Sequence, residues 1–306
     1  MTKPKQDQQA IRERVTKLML DALSNDTPPW RQPWNGGNAG LVRLTAPCNF
    51  RSRRHYHGIN PLLLLFSSML RGYSSPYWGT PESWEKQLGA RPMEDEVPTY
   101  VIFYTLVPIV ENNKPKLNPK GEPIRFPLMR EYPLYNADQL VGDTRLNKYL
   151  VMPDEINTEP DYAPAEDLIK AIGANMRHAG IRASYNFGTD QITVPAKAVF
   201  ETMADYYETV FHEHAHWTEH PKRLGIKGER NHAFYELVSE ISACMLLLEI
   251  RVPMAEQMLE ASKSYVKSWV EQMGSDPKYI FDAASRAGKV VDYLLSFKAK
   301  KKKKAA

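Results

Sequence analysis

Cysteine is almost missing from this chain: Cys48 and Cys244 are the only two among 306 residues, and they lie far apart. Their scarcity excludes a disulfide framework and fits a reducing compartment. Any bound metal must then be held by histidine and carboxylate. Long apolar runs are missing as well. The most apolar short stretch, PLLLLF at 61–66, is too short to span a bilayer, and MTKPKQDQQ lacks the apolar segment of a secretory signal. A soluble, cytoplasmic protein with no membrane attachment is expected. No internal repeat is visible, and the one low-complexity segment is the lysine-rich end, KAKKKKKAA. What remains is the composition of an ordinary globular protein, long enough for a sizeable core and two domains. The formal charge of +4 is mild but uneven, with Arg43, Arg51, Arg53 and Arg54 clustered near His55 and His57. Such a basic face favours polyanions, although a charge run is also what a solvated surface looks like.

Histidine is scarce too, except in one place. The segment ETVFHEHAHWTEH, 208–220, holds four of the chain's eight histidines, and His212, Glu213 and His216 in it spell H-E-x-x-H. On a helix, residues four apart stand one above the other on a single face, so His212 and His216 can grip one ion. Glu213 projects beside them, placed to take a proton from water. Thr202 is a candidate cap for this helix. A catalytic zinc site needs a third protein ligand and an open position. The stretch YELVSEIS offers Glu236 and Glu240, four apart, the first twenty residues beyond His216. Glu236 is the preferred third ligand. Glu240 is placed to orient a ligand histidine from behind, or the two roles are exchanged. Zinc is the expected ion, with manganese as the alternative. His214 faces away from the pair, while His220 and His232 are held in reserve as ligands. Cys244 sits on an apolar helix face and is read as core.

Around this segment the hydrophobic spacing predicts helices at 9–24, 61–70 and 82–88, then a strand at 97–110 whose β-branched and aromatic residues return at 124–135. A polar, proline-containing stretch follows, placing a linker at 154–165 between domains at 1–153 and 166–297, with a basic tail at 298–306. The second domain is expected to open with a helix at 166–178, add two short strands in ASYNF and QITVP, and continue as helices near 200–219, 231–250, 254–272 and 276–297. Both domains read as α+β, the second mainly helical with a small sheet.

The N-terminal half interleaves aromatic and basic residues in loops. Single-stranded nucleic acid is bound by such a combination, cations along the backbone and aromatic faces under the bases. Trp30, Arg31, Trp34, Arg43, Arg51, Arg53, Arg54, Tyr56, Arg71 and Tyr73 are the candidate DNA contacts, with Trp78 expected in the core.

The segments TPPWRQPW, HYHGIN, GYSSPYWGT and QLGARP resemble, in order and spacing, the N-terminal domain of the ArdC antirestriction proteins, shared with TraC-type plasmid primases. GIRASYNFGTDQITVP, FHEHAHWTEHPKRL and ELVSEISA resemble the metallopeptidase domain that follows it, and the closing helices are similar as well. The resemblance implies a plasmid-borne protein whose single-strand DNA-binding domain precedes a zincin-like domain of the SprT kind. It also implies a role in shielding incoming conjugative DNA from host restriction. Single-stranded DNA, with duplex DNA as the alternative, and a host protein substrate are the partners it suggests. Residue by residue, His212, Glu213 and His216 match the family's metal motif and Glu236 and Glu240 its downstream glutamates. Tyr235 stands where a second acidic residue is expected, which leaves packing or an oxyanion donor as its role. Two other readings stay open: a non-enzymatic DNA-binding protein with a structural metal, and an accessory fragment of a primase-type protein.

Overall fold

The computed structural model describes residues 8–23, 46–111, 114–142, 144–150, 161–200, 202–225, 230–252 and 263–305. Helix α1 (Gln8–Leu23) buries Ile11, Val15 and Met19, which recur every four residues as one helix face requires. A short strand β1 (Cys48–Asn49) leads to α2 (Asn60–Arg71), in which Leu62 to Phe66 are all buried. Next come β2 (Tyr77–Gly79) and α3 (Pro81–Leu88). The bounds of α3 follow from local chemistry. The Thr80 side chain accepts the Ser83 backbone N–H, Pro81 occupies the first turn, and Gly89 closes the helix in the left-handed conformation at φ 61°. Gly79 answers a packing need instead, since a Cβ there would lie 2.6 Å from the Phe50 ring.

After β3 (Arg91–Pro92), the expected strand and its return become β4 (Thr99–Pro108) and β7 (Arg125–Asn136), paired antiparallel from Thr99↔Leu134 to Pro108↔Arg125. Between them β5 (Val110–Glu111) and β6 (Lys114–Pro115) form a small second ladder, and β8 (Leu140–Val141) pairs with β3. The main sheet has the order β1-β2-β7-β4, which leaves β4 at an edge. Asn60 blocks part of that edge: its buried carboxamide donates to the Ile102 carbonyl and accepts from the Ile102 N–H, each at 2.7 Å, as a neighbouring strand would.

In the second half α4 (Ala163–Ile172) stops earlier than the expected 178. Gly173 takes the left-handed conformation at φ 65° and ends it, so Met176–His178 become strand β9. With β10 (Ser184–Asn186) and β11 (Gln191–Val194) it makes a sheet of order β10-β11-β9, in which β9 runs parallel to β11. The helices α5 (Met203–Thr218), α6 (His232–Glu249), α7 (Lys263–Ser275) and α8 (Tyr279–Ala305) complete the fold. The lysine-rich end continues α8 rather than leaving it. Thr202 and Asn231 cap α5 and α6 by accepting the backbone N–H groups of Asp205 and Phe234. The architecture is α+β, with helices dominating the second half. Its largest core draws Ile11, Leu62 and Phe66 from the first half together with α4 to α8, while two smaller clusters sit around Trp84 and Trp78. No described helix is long and apolar enough to cross a membrane.

Candidate metal centre

Helix α5 lies against α6, and the H-E-x-x-H turn faces the first turns of its neighbour. His212 Nε2 and His216 Nε2 are 3.2 Å apart. Glu236 closes the group, with its two carboxylate oxygens 3.4 Å from His212 Nε2 and 3.3 Å from His216 Nε2. These three side chains are the one group among the described residues whose donor atoms converge as metal ligands do. The 3.2 Å between the two imidazole nitrogens suits two donors to one ion, with either Glu236 oxygen within reach of the same point. Donors bonded at about 2.0–2.1 Å to one ion stand about 3.3 Å from each other. Two imidazoles and a carboxylate also suit a divalent transition ion.

The surroundings fix the ligands in place. His216 Nδ1 pairs at 3.0 Å with Glu219, and Glu240, almost fully buried, stands 3.7 Å from His212 Nδ1. Each imidazole thus turns Nε2 inward and has a carboxylate behind it; at His216 the hydrogen bond sets ring orientation and tautomer, while at His212 the Glu240 carboxylate is near enough to act through its charge. Of the two glutamates left open by the sequence, Glu236 joins the cluster and Glu240 lies behind a histidine. Glu219 was not anticipated, although its position one turn beyond His216 made it findable by helical spacing.

Charge follows the same logic. Burial works against ionising Glu236, but hydrogen bonds with His212 and His216 win and hold its carboxyl well below the usual carboxylate range. Burial lowers the proton affinity of His216, yet the bonds to Glu219 and Glu236 overcome it and raise its pKa to about 10. The cluster therefore shares protons in the absence of a cation, and a divalent ion that replaces them meets a preformed negative site. Glu213, buried beside the cluster, has its carboxyl pushed up by desolvation and pulled back by His212 and His216. A hydrogen bond from the Tyr185 backbone on β10 reaches it. Strand β10 is held there by Arg223, whose guanidinium binds both Asp190 oxygens and the Tyr185 hydroxyl while lying 3.9 Å over the Trp217 ring.

The remaining histidines separate. His214 is fully buried and bonds through Nδ1 to the Val210 carbonyl at 2.7 Å, with its pKa lowered to about 4 by desolvation. It belongs to the core. His220 packs on the Phe187 ring at 4.9 Å. His232 is exposed but reaches to 3.4 Å from Glu236. The Tyr235 ring packs edge-on against Phe234, and its hydroxyl is buried without a hydrogen bond. Cys244 is buried in the core.

The proposed DNA contacts scatter. Trp30, Arg31, Trp34 and Arg43 lie outside the described residues. Arg51, Arg53 and Arg54 are exposed on the turn after β1, where Arg53 stacks over the Tyr77 and Tyr149 rings at 4.5 and 4.8 Å. Tyr56 is half-buried on the Trp78 cluster. Two candidates are engaged in the fold itself. Tyr73 is only 8% exposed, edge-on against Trp78, and offers no open face to a base; Arg71 donates to the Val97 carbonyl at 2.6 Å. Trp78 is fully buried, as expected.

Residues 9–135 match the N-terminal domain of the anti-restriction factor ArdC, and residues 163–286 match a zincin-like metallopeptidase family. Fold and cluster thus define a two-part protein in which an ArdC-type domain precedes a zincin-like one. The chain is an ArdC-type protein. It is similar throughout to the metal-free crystal structure of the antirestriction protein ArdC of plasmid R388, with a TM-score of 0.77 at 29% identity, covering 94% of this chain and 98% of that one. The Mn(II)-bound structure of the same protein gives a TM-score of 0.69 at 29% identity, over 94% and 97% of the two chains. Two Escherichia coli DNA primases TraC are each 30% identical over 94% of this chain, which spans 27% and 20% of their lengths. Protein y4eC of Sinorhizobium fredii is 28% identical over 93% of this chain and 91% of its own.

Proposed function

We propose that this protein is a cytoplasmic, plasmid-encoded antirestriction factor that binds single-stranded DNA through its first domain, 1–153, and acts on protein through its second, 166–297. The proposed linker at 154–165, whose last three residues open α4, separates the two tasks, and the basic tail at 298–306 adds charge. The observation that carries the reading is the His212–His216–Glu236 triangle with the Glu213 carboxyl beside it, in a chain whose other half is of the ArdC type. Zinc or manganese is the proposed occupant. Such an ion supplies Lewis acidity, polarising a peptide carbonyl and lowering the pKa of water to about 7.

The chain's own residues do the rest. Glu213 takes the proton from the attacking water at a carboxylate whose affinity is raised by burial, and later passes it to the leaving amine. Glu219 and Glu240 hold the two imidazoles in the orientation that keeps Nε2 inward. Arg223 keeps β10 over Glu213 through Asp190 and Tyr185. In the DNA-binding half the exposed Arg51 and Arg54 supply phosphate contacts, whereas Arg71 and Tyr73 support the fold. A host protein met on incoming DNA is the proposed substrate, and single-stranded DNA is the preferred nucleic acid over duplex.

The test is Glu213→Gln. The variant should retain stoichiometric metal and single-strand binding, and lose cleavage of host protein together with protection in a conjugative transfer into a restricting recipient. Loss of metal along with cleavage would remove the general-base role. Full protection by the variant would leave DNA coating as the whole activity and reject the peptidase part.

A further inference from the structure

A cavity of about 590 Å³ opens where the two halves of the chain meet. Its lining includes the aromatic Phe103 and Tyr104 of β4 and Phe281 of α8, together with the turn carrying Arg54, His55 and His57. Asp282 also faces the cavity; its carboxylate shares the Arg230 guanidinium with Asp276, at 2.6 and 2.9 Å, so its charge is offset only in part. Beyond this cavity the aromatic lining continues onto the surface. Phe103 and Tyr132 stand on one face of the β4–β7 ribbon with ring centroids 5.5 Å apart, edge to face, and both are exposed, at 45% and 37%. Arg130, directly across from Phe103 in the ladder, is exposed beside them.

Large aromatic side chains left in water along a strand are not what a free sheet face needs for stability. Cations at Arg54 and Arg130 flank them on two sides. We infer that this cavity and the Phe103–Tyr132 face form one path for single-stranded DNA, in which an unstacked base enters the cavity against Phe103 and Tyr104. A neighbouring base lies on Tyr132, and Arg54 and Arg130 meet the phosphates. This rests on the single-strand reading of the first domain and adds residues which that reading did not contain. The occupant is single-stranded because a duplex keeps its base faces stacked on each other. It is longer than one nucleotide because the aromatic and basic residues extend past the cavity. Stacking supplies sequence-tolerant affinity and the arginines supply its salt dependence.

The experiment measures binding of the full chain to a fluorescent oligothymidylate and to a duplex of mixed sequence by anisotropy across a salt series. Wild type is compared with Phe103→Ala/Tyr132→Ala and with Arg54→Ala. The double variant should weaken single-strand binding by about fivefold or more at every salt concentration, with little change for duplex. Arg54→Ala should lower the slope of log affinity against log salt by about one for both. Because Phe103 and Tyr132 are exposed, their truncation opens no core, and an unchanged melting temperature verifies this. Single-strand affinity within twofold of wild type in the double variant overturns the path, and so does an equal loss on duplex. A change from dimer to monomer in sedimentation would make the face a contact between copies and overturn it as well. If wild type itself binds no single strand, the reading beneath fails first and takes the path with it.

Discussion

The candidate metal cluster and the proposed DNA-facing surface occupy the same chain but are built by opposite means. His212, Glu213 and His216 on one helix and Glu219 at its C-terminal cap fall within eight residues, and Glu236 and Glu240 within five of the next helix, so two packed cylinders bring all six together. The nucleic-acid side instead gathers Arg54 from a turn, Phe103 and Tyr132 from paired strands and Phe281 from the last helix. A helix repeats its face every turn and carries a site rigidly. A surface assembled from turns and strand faces exists only after distant segments have packed. The two regions should therefore fail independently, and each variant below is a way to separate them or to show that they are coupled.

Glu213→Gln should give the largest effect, a fall in protein cleavage of about 10²–10⁴-fold with single-strand affinity unchanged. A parallel loss of DNA binding would mean the halves are coupled. Trp84→Ala strikes the other side. Trp84 is fully buried, stacked on Phe50 with ring centroids 3.6 Å apart and bonded through its indole N–H to the Tyr135 carbonyl, so its truncation should cost about 3–5 kcal/mol in urea unfolding. Metal affinity measured in native conditions should stay the same, because Trp84 sits in a cluster separate from α5 and α6.

Glu219→Ala is expected to weaken metal binding by about 10–100-fold in a chelator competition, with Glu219→Gln recovering part of it by hydrogen bonding to His216 Nδ1. Binding as tight as wild type in both variants would show that Glu219 merely happens to be near. The smallest effect belongs to pH. Hydrogen bonding to Arg223 holds the Asp190 carboxyl down at about 2, against the ordinary carboxylate value, so the folded state binds the Asp190 proton more weakly than the unfolded chain does. The pair's stabilisation is complete above the ordinary carboxylate pKa of about 3.9 and is lost as pH falls toward 2. Asp190→Asn should accordingly show a smaller drop in melting temperature between pH 5 and pH 2.5 than wild type does. Equal drops in the two proteins would place the acid sensitivity elsewhere.

The difference in construction also explains what could be read in advance. The ladder between β4 and β7 was legible because a run of β-branched and aromatic residues marks a strand wherever it lies. Helix α4 was drawn too long because Gly173 sits inside an otherwise helical pattern, and its left-handed conformation, which ends the helix, is set by the chain's reversal into β9. Tyr73 looked like a surface residue because its sequence neighbours are glycine and serine, and Arg71, which is exposed, gave no sign of its bond to a backbone carbonyl. Their partners, Trp78 and Val97, come from other segments. Phe103 and Tyr132 looked like ordinary strand residues, since nothing local tells which face of a ribbon stays uncovered.

By itself the sequence determined the candidate metal pair, the acid beside it and a downstream pair of candidate carboxylates, because four-residue spacing on a helix is a local geometric fact. Only the packing of α5 on α6 decided between Glu236 and Glu240: the first faces the imidazole nitrogens that converge, and the second stands one turn further along, behind His212. The junction cavity and the exposed aromatic face were likewise decided in three dimensions. Burial and exposure are properties of what a segment meets, and the segments that meet there, a turn before α2, strand β4 and helix α8, are far from adjacent in the chain.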